Sequence, residues 1–118
     1  MDSKTKTRFL LGIAGGSGSG KTTLATKLIE ECGKIGIVGQ ILSLDNYYRP
    51  LDHLKFEARK AYNFDHPNAI DSALALKHIR ELCAGRPIRQ PIYNFKLHTR
   101  EKEHAPCRPT KLIIVEGL

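Results

Sequence analysis

Several things are missing from this 118-residue sequence, and each absence narrows what it can be. Cysteine is scarce: Cys32, Cys83 and Cys107 lie far apart with no CxxC pair, and the odd count argues against a disulfide framework, so reduced thiols are expected. Met1 to Arg8 is polar and charged without the apolar core of a signal peptide, and no apolar run is long enough to cross a bilayer. The expectation is a cytoplasmic protein with no membrane partner. The five histidines show no metal-ligand spacing and are read as surface or hydrogen-bonding residues rather than zinc ligands. There is no internal repeat, low-complexity tract or interdomain linker. The length suits one domain with a core, yet is short for a complete doubly wound fold.

Positive charge is abundant. A formal net charge of +7 suits an anionic ligand and equally suits weak nucleic-acid binding, but no basic run is interleaved with aromatics as in an RNA-binding sheet. Nucleic acid is therefore not the expected partner. Most of the lysines and arginines are read as a solvated surface.

The most specific feature present is Gly15-Gly16-Ser17-Gly18-Ser19-Gly20-Lys21-Thr22, a match to the phosphate-binding loop GxxxxGK[ST]. It follows the apolar run Phe9 to Ala14 and precedes a helical pattern of Leu24, Leu28 and Cys32. A triphosphate needs many donors at close range, and glycines let main-chain N–H groups approach in dihedrals other residues avoid. Lys21 supplies a point charge for the β- and γ-phosphates, Thr22 a hydroxyl for Mg²⁺, and the start of the helix a partial positive charge. Thr23 is grouped with these nucleotide-binding residues. The dinucleotide fingerprint does not fit, because Gly16, Gly18 and Gly20 are followed by Lys21 and no GxGxxG register exists.

Phe9 to Ala14 reads as a strand buried on both faces, followed by a helix from about Lys21 that stops near Gly33. Gln40 to Leu44 is a second strand, ending at Asp45-Asn46-Tyr47-Tyr48-Arg49-Pro50. Leu51 to Tyr62 has helical spacing. Asp71 or Ser72 caps a helix with the stripe Ala75, Ile79 and Leu82, closed by Gly85 and Pro87. Arg86 to Arg108 is short-patterned, Pro-punctuated and basic, like a hairpin excursion outside the main sheet. Lys111 to Glu116 is the third core strand. Alternating strands and helices imply an α/β fold with a parallel sheet and flanking helices, of about three core strands plus the hairpin.

Five segments, taken in order, resemble the uridine kinase (uridine-cytidine kinase) family of P-loop kinases, N-terminal part: the loop Gly15 to Thr22, Asp45 to Arg49, Asn63-Phe-Asp-His-Pro-Asn-Ala-Ile-Asp71, Pro91-Ile-Tyr-Asn-Phe-Lys-Leu-His-Thr-Arg100, and Val115-Glu-Gly117. The resemblance implies a P-loop NTPase fold, ATP or GTP as phosphoryl donor with Mg²⁺, and transfer to the 5′-hydroxyl of uridine or cytidine in pyrimidine salvage. It places Asp45 as catalytic base with Lys21, Asp65 on the ribose hydroxyls, and Tyr93, Phe95 and His98 around the base. Arg100 would lie near substrate and phosphates. Glu116 would act as a Walker B acid, holding Mg²⁺ with Thr22 and Asp45. Each residue also has a plainer reading: Asp45 and Asp65 as turn aspartates, Tyr93 and Phe95 as core positions of a strand, Arg100 as a surface charge.

Asn94 departs from the pattern, standing where the family usually has aspartate. Family members also continue beyond the equivalent of Leu118 into further strands and an arginine-bearing lid, and their full-length forms are homo-oligomers. The expectation is a nucleoside kinase domain cut short at its C-terminus, with activity weakened or lost if this is the whole molecule. Family sheets run 2-3-1-4-5, so strand 1 is expected to have an open edge. The alternatives are a phosphoribulokinase- or pantothenate-kinase-like enzyme, or a non-catalytic ATP-binding module that associates with full-length kinase subunits.

Overall fold

The computed structural model describes residues 8–14, 20–62 and 69–117, apart from the side chains of residues 21 and 22. In chain order the elements are β1 (Phe9–Ile13), α1 (Lys21–Lys34), β2 (Gly39–Ser43), a 3₁₀ turn (Leu44–Tyr47), α2 (Phe56–Lys60), α3 (Ser72–Cys83), β3 (Ile88–Asn94), β4 (Thr99–Cys107) and β5 (Leu112–Glu116). The chain folds as two compact units, one running to Ser43 and resuming at Pro109, the other from Leu44 to Arg108.

The first unit is a parallel sheet in the order β1-β5-β2. Strand β5 is Leu-Ile-Ile-Val-Glu and is bonded along both edges, so its near-continuous apolar character is what a central parallel strand requires. Helix α1 lays Ala25, Leu28, Ile29 and Cys32 against Leu112 and Ile114, a stripe at i, i+3, i+4 and i+7. Close approach needs Gly39: a Cβ there would lie 2.6 Å from Ile29 Cδ1 and 3.0 Å from Leu112 Cδ2. Gly33 is inside the helix rather than at its end. The left-handed residue is Gly36, at φ 83°, and the Ile37 N–H returns to the Cys32 carbonyl at 2.9 Å.

One expectation is corrected here. β1 is not buried on both faces: Phe9 and Leu10 are 50% and 52% exposed, and Leu11 is exposed as well. An apolar run identifies a strand that could be buried, but burial needs neighbours, and among the described residues β1 is paired along one edge only, with β5. The order β2-β5-β1 is the expected 2-3-1, with strand 1 at the margin.

In the second unit, β3 and β4 form an antiparallel hairpin with an irregularity between Pro91 and Tyr93. This is the expected excursion. Helix α3 begins at Asp71, whose Oδ1 accepts the Leu74 N–H at 3.2 Å, and Gly85 turns the chain afterwards at φ 85°. Its buried residues are Ala75, His78 and Leu82, so the expected stripe is shifted, with Ile79 half-buried and a histidine facing inward. That is tolerable because Tyr47, fully buried in the 3₁₀ turn, shares a 2.7 Å hydrogen bond between its hydroxyl and His78 Nδ1. The two rings meet edge to face at 5.5 Å. The expected helix over Leu51 to Tyr62 shrinks to Phe56–Lys60, since the Leu51 N–H is taken by Thr99 Oγ1 at 2.6 Å and Leu51 to Leu54 closes as a turn.

Asp71 has two roles, and they separate by substitution. Besides capping α3, its other carboxylate oxygen lies 3.8 Å from Arg100 Nη2. Asp71→Ala should lower the unfolding free energy by about 0.5–2 kcal/mol in urea titrations, and Asp71→Asn by distinctly less because the amide oxygen still caps. Equal losses would assign the cost to the ion pair instead.

Burial, then the positive charge of Lys77, holds the His78 pKa below its ordinary 6.5. The unfolded chain therefore binds this proton more readily than the folded one. His78 contributes stability that is full above pH 6.5 and is lost as pH falls through that value toward the lowered folded pKa. Melting temperature should drop across that window, and the drop should be smaller in His78→Gln; an unchanged profile in the variant would refute the assignment.

Candidate active site

Parallel pairing brings the C-terminal ends of the three strands level: Ile13, Glu116 and Ser43 are register partners. Open α/β sheets bind ligands at this end of the strands. Glu116, 5% exposed, accepts a 3.3 Å hydrogen bond from Ser43 Oγ. A carboxylate this buried is costly unless it is held by donors or a cation. Beyond β1, α1 opens at Gly20, which sits in the left-handed region at φ 82° and ψ 11°. The helix start has no side-chain cap and no acidic residue in its first turn, so its leading amides and its dipole favour an anion. Thr23 lies exposed in that turn. The backbones of Lys21 and Thr22 begin the helix, while their side chains, and Gly15, Gly16, Ser17, Gly18 and Ser19 entirely, lie outside the described residues.

In the second unit, Tyr48, Tyr93, Phe95 and His98 line a cavity of ≈ 220 Å³. The rings form a chain, Tyr48 to Tyr93 at 5.2 Å and Tyr93 to Phe95 at 5.0 Å, both inclined near 60° (58° and 62°). Tyr93 is buried and its hydroxyl is pushed up to about 12, first by loss of solvent and then by the neighbouring Tyr48. It stays protonated at neutral pH, able to donate or accept. Phe95 is exposed and His98 half-buried, so the open wall is apolar on one side and carries an imidazole on the other.

This wall belongs to a turn, and the sequence strains to hold it. His98 is left-handed at φ 53°, uncommon for a residue with a Cβ. Asn94 compensates: its Oδ1 accepts both the Lys96 and the Leu97 N–H at 2.9 Å. Only an acceptor oxygen is needed for that, so asparagine can replace aspartate here without losing the turn. Four further bonds fasten the hairpin end. Asn46 Oδ1 accepts the Tyr93 N–H at 3.2 Å, Thr99 accepts from Leu51, Arg59 donates to the Leu97 carbonyl at 2.9 Å, and Arg100 donates to the Tyr48 carbonyl at 2.9 Å.

Of the residues singled out from sequence, Tyr93, Phe95 and His98 thus surround one cavity, and Tyr48 joins them. Nothing in the sequence separated Tyr48 from Tyr47; their positions do, one in the cavity wall and one fully buried. Arg100 is only 12% exposed and is spent on Tyr48 and Asp71, a bracing position. Asp45 is half-buried in the 3₁₀ turn, one residue before Asn46. Asp65 lies outside the described residues. Among the described residues no three His, Cys, Asp or Glu side chains gather to hold a metal, and no helix is long and apolar enough to cross a membrane.

Comparison with known proteins meets this geometry. Residues 10–118 match the model of the phosphoribulokinase / uridine kinase family. A uridine kinase of Clostridium novyi is 46% identical over 110 residues, covering 93% of this chain and 52% of that protein. A uridine kinase of Bacillus velezensis is 44% identical over 113 residues, covering 96% and 53%. The structure of a possible uridine kinase from Bacillus stearothermophilus superposes with a TM-score of 0.70 at 26% identity, over 96% of this chain and 62% of that one. The chain spans about half the length of the curated relatives it matches. Its phosphate-loop sequence, its parallel sheet and a match that begins at Leu10 and runs to the last residue place this chain in the phosphoribulokinase/uridine kinase family.

Proposed function

We propose that the chain carries the phosphate-binding and nucleoside-recognising part of an ATP-dependent pyrimidine ribonucleoside kinase, acting on the 5′-hydroxyl of uridine or cytidine. The observation that carries this reading is the cavity of Tyr48, Tyr93, Phe95 and His98, a shape and chemistry suited to a flat, polar-edged base. It is supported by relatives named uridine kinases at 42–46% identity. A cytoplasmic place in nucleoside salvage, and a homo-oligomeric full-length form, follow the same reading.

The roles divide by chemistry. Asp45 orients the primary alcohol and accepts its proton as the new O–P bond forms and the bond from the γ-phosphorus to the β-phosphate oxygen breaks. Lys21 and the amides of Gly15 to Thr23 hold the triphosphate, for which the uncapped, acid-free start of α1 is fitting. Asp65 has two acceptor oxygens for the ribose 2′- and 3′-hydroxyls. Arg100 acts indirectly, fixing the Tyr48 backbone. Magnesium, when bound, neutralises phosphate charge. The buried carboxylate of Glu116, with Thr22 and Asp45, has the hard oxygen chemistry to hold it.

Calorimetric titration of this chain with uridine and cytidine tests the reading. Phe95→Ala should weaken binding about tenfold, the usual worth of one aromatic stacking contact, without unfolding an exposed position. Uridine-dependent ADP production with Mg²⁺-ATP should be abolished by Asp45→Asn. Tighter binding of pantothenate or ribulose 5-phosphate than of uridine would overturn the assignment in favour of another acceptor.

The exposed face of β1 favours a second reading, a module that pairs with full-length kinase subunits through that strand. A shift in elution volume on mixing with such a kinase would support it; unchanged elution of both would dismiss it.

A further inference from the structure

A second cavity of ≈ 170 Å³ is lined by Leu74, Arg89, His104 and His78, the hydrogen-bond partner of Tyr47. Its walls come from α3 and from the two paired strands β3 and β4. Leu74 and His78 are one helical turn apart on α3. Arg89 faces Pro106 and His104 faces Pro91 across the hairpin, which makes Arg89 and His104 diagonal neighbours on one face of the strands. Three nitrogen-bearing side chains therefore converge on one small space, and no acid lines it.

The charge there is uncompensated. Among the described residues Arg89 and His104 form no hydrogen bond or ion pair. His78 uses Nδ1 on Tyr47, leaving Nε2 as its free ring nitrogen. The groups that act on His78 electrostatically are Lys77, His104 and Arg100, all disfavouring its charge, and Glu81, the single opposing carboxylate. Glu81 is already engaged by Arg86 Nε at 2.5 Å. A cavity edged by a planar guanidinium and two imidazoles, with no acid in its lining and with the carboxylate that acts on His78 engaged by Arg86, is complementary to a tetrahedral oxyanion.

We propose that the cavity bounded by Leu74, His78, Arg89 and His104 is a binding site for a small oxyanion, either a free phosphate or the phosphate of a phosphomonoester. Arg89 supplies the permanent charge and the paired donors, His104 and His78 Nε2 the remaining hydrogen bonds. Because His78 Nδ1 is tied to Tyr47, an anion that favours the imidazolium also requires Nδ1 to become the donor to the Tyr47 oxygen. Tyr47 shares its turn with Asp45 and Asn46, and Asn46 holds the Tyr93 backbone. Occupancy of this cavity is thereby linked to the turn that also supports the aromatic cavity. The proposal does not depend on the nucleoside-kinase reading.

The test is an NMR titration of the histidine imidazole resonances of the intact chain with sodium sulfate, ionic strength being held constant with chloride. Sulfate keeps its charge across the histidine range. Saturable shifts at His78 and His104, and an upward move of the His78 pKa, are expected. The readout is local, since His78 and His104 themselves line the cavity. Arg89→Gln, at an exposed position that should not disturb folding, should weaken the effect about tenfold, as loss of a charge-assisted hydrogen bond does. Repeating the titration with inorganic phosphate and with uridine monophosphate separates the two sources: a shift with both supports a phosphomonoester, a shift with phosphate alone a free anion. Linear, non-saturating shifts, an equal effect of chloride, or an Arg89→Gln response identical to wild type would overturn the proposal.

Discussion

Everything in the first unit depends on β5 being paired on both sides. β1 and β2 do not touch one another in the sheet; each is aligned only through Leu112–Glu116. The strand that completes the sheet is thus the last of the three to appear in the chain, after the whole of residues 44–108. Parallel pairing obliges a long crossover, and here the second unit is contained in that crossover. The same pairing brings Ile13, Ser43 and Glu116 level, so the register that stabilises the sheet also sets where its carboxylate ends up.

The second unit solves a different problem. A cavity of ≈ 220 Å³ lined by rings has to be built on a short turn, and turns are the mobile parts of most proteins. This one is held, beyond its ring contacts, by side chains bonded to backbone groups: Asn46 takes the Tyr93 amide, Thr99 the Leu51 amide, Asn94 two amides of its own turn, and Arg59 and Arg100 each a carbonyl. Since these contacts fall on main-chain atoms, the identities of Phe95 and His98 can change without removing what positions them.

How much of this could be read in the sequence depends on whether the signal was local. The apolar runs of β2 and β5, the Asp71 cap and the Pro-punctuated hairpin are local signals, and the corresponding elements are present within a residue or two; the glycine loop is as local a signal, but Gly15 to Ser19 lie outside the described residues. The exposure of β1 is not local: its apolar run is the same whether or not another strand covers it. His78 was passed over because a histidine does not count toward an apolar stripe, and the Tyr47 hydroxyl that makes it acceptable lies 31 residues earlier. Tyr48 was hidden by adjacency, since two consecutive tyrosines point to different surroundings only once the Tyr48 to Ile70 bridge fixes the backbone. Asn94 stands where the family usually has aspartate, and its oxygen serves the turn by accepting the Lys96 and Leu97 amides.

Arg100 shows how one mostly buried arginine braces several segments at once. An arginine near a substrate is naturally taken as a ligand for phosphate, because the guanidinium is built for it. Here its burial and its bonds to the Tyr48 carbonyl and toward Asp71 leave it spanning the strand β4, the segment after the 3₁₀ turn and the cap of α3. The segment after the 3₁₀ turn also meets the start of α3 through the Tyr48–Ile70 bridge and the bonds from Arg49 to Ala69 and from Asp71 to Tyr47, and meets β4 through the bond from Leu51 to Thr99. A side chain so placed braces the backbone of Tyr48, whose ring lines the aromatic cavity, and engages its charge within the fold. Arg89, on the hairpin, is by contrast a permanent charge whose side chain no acid or carbonyl answers among the described residues.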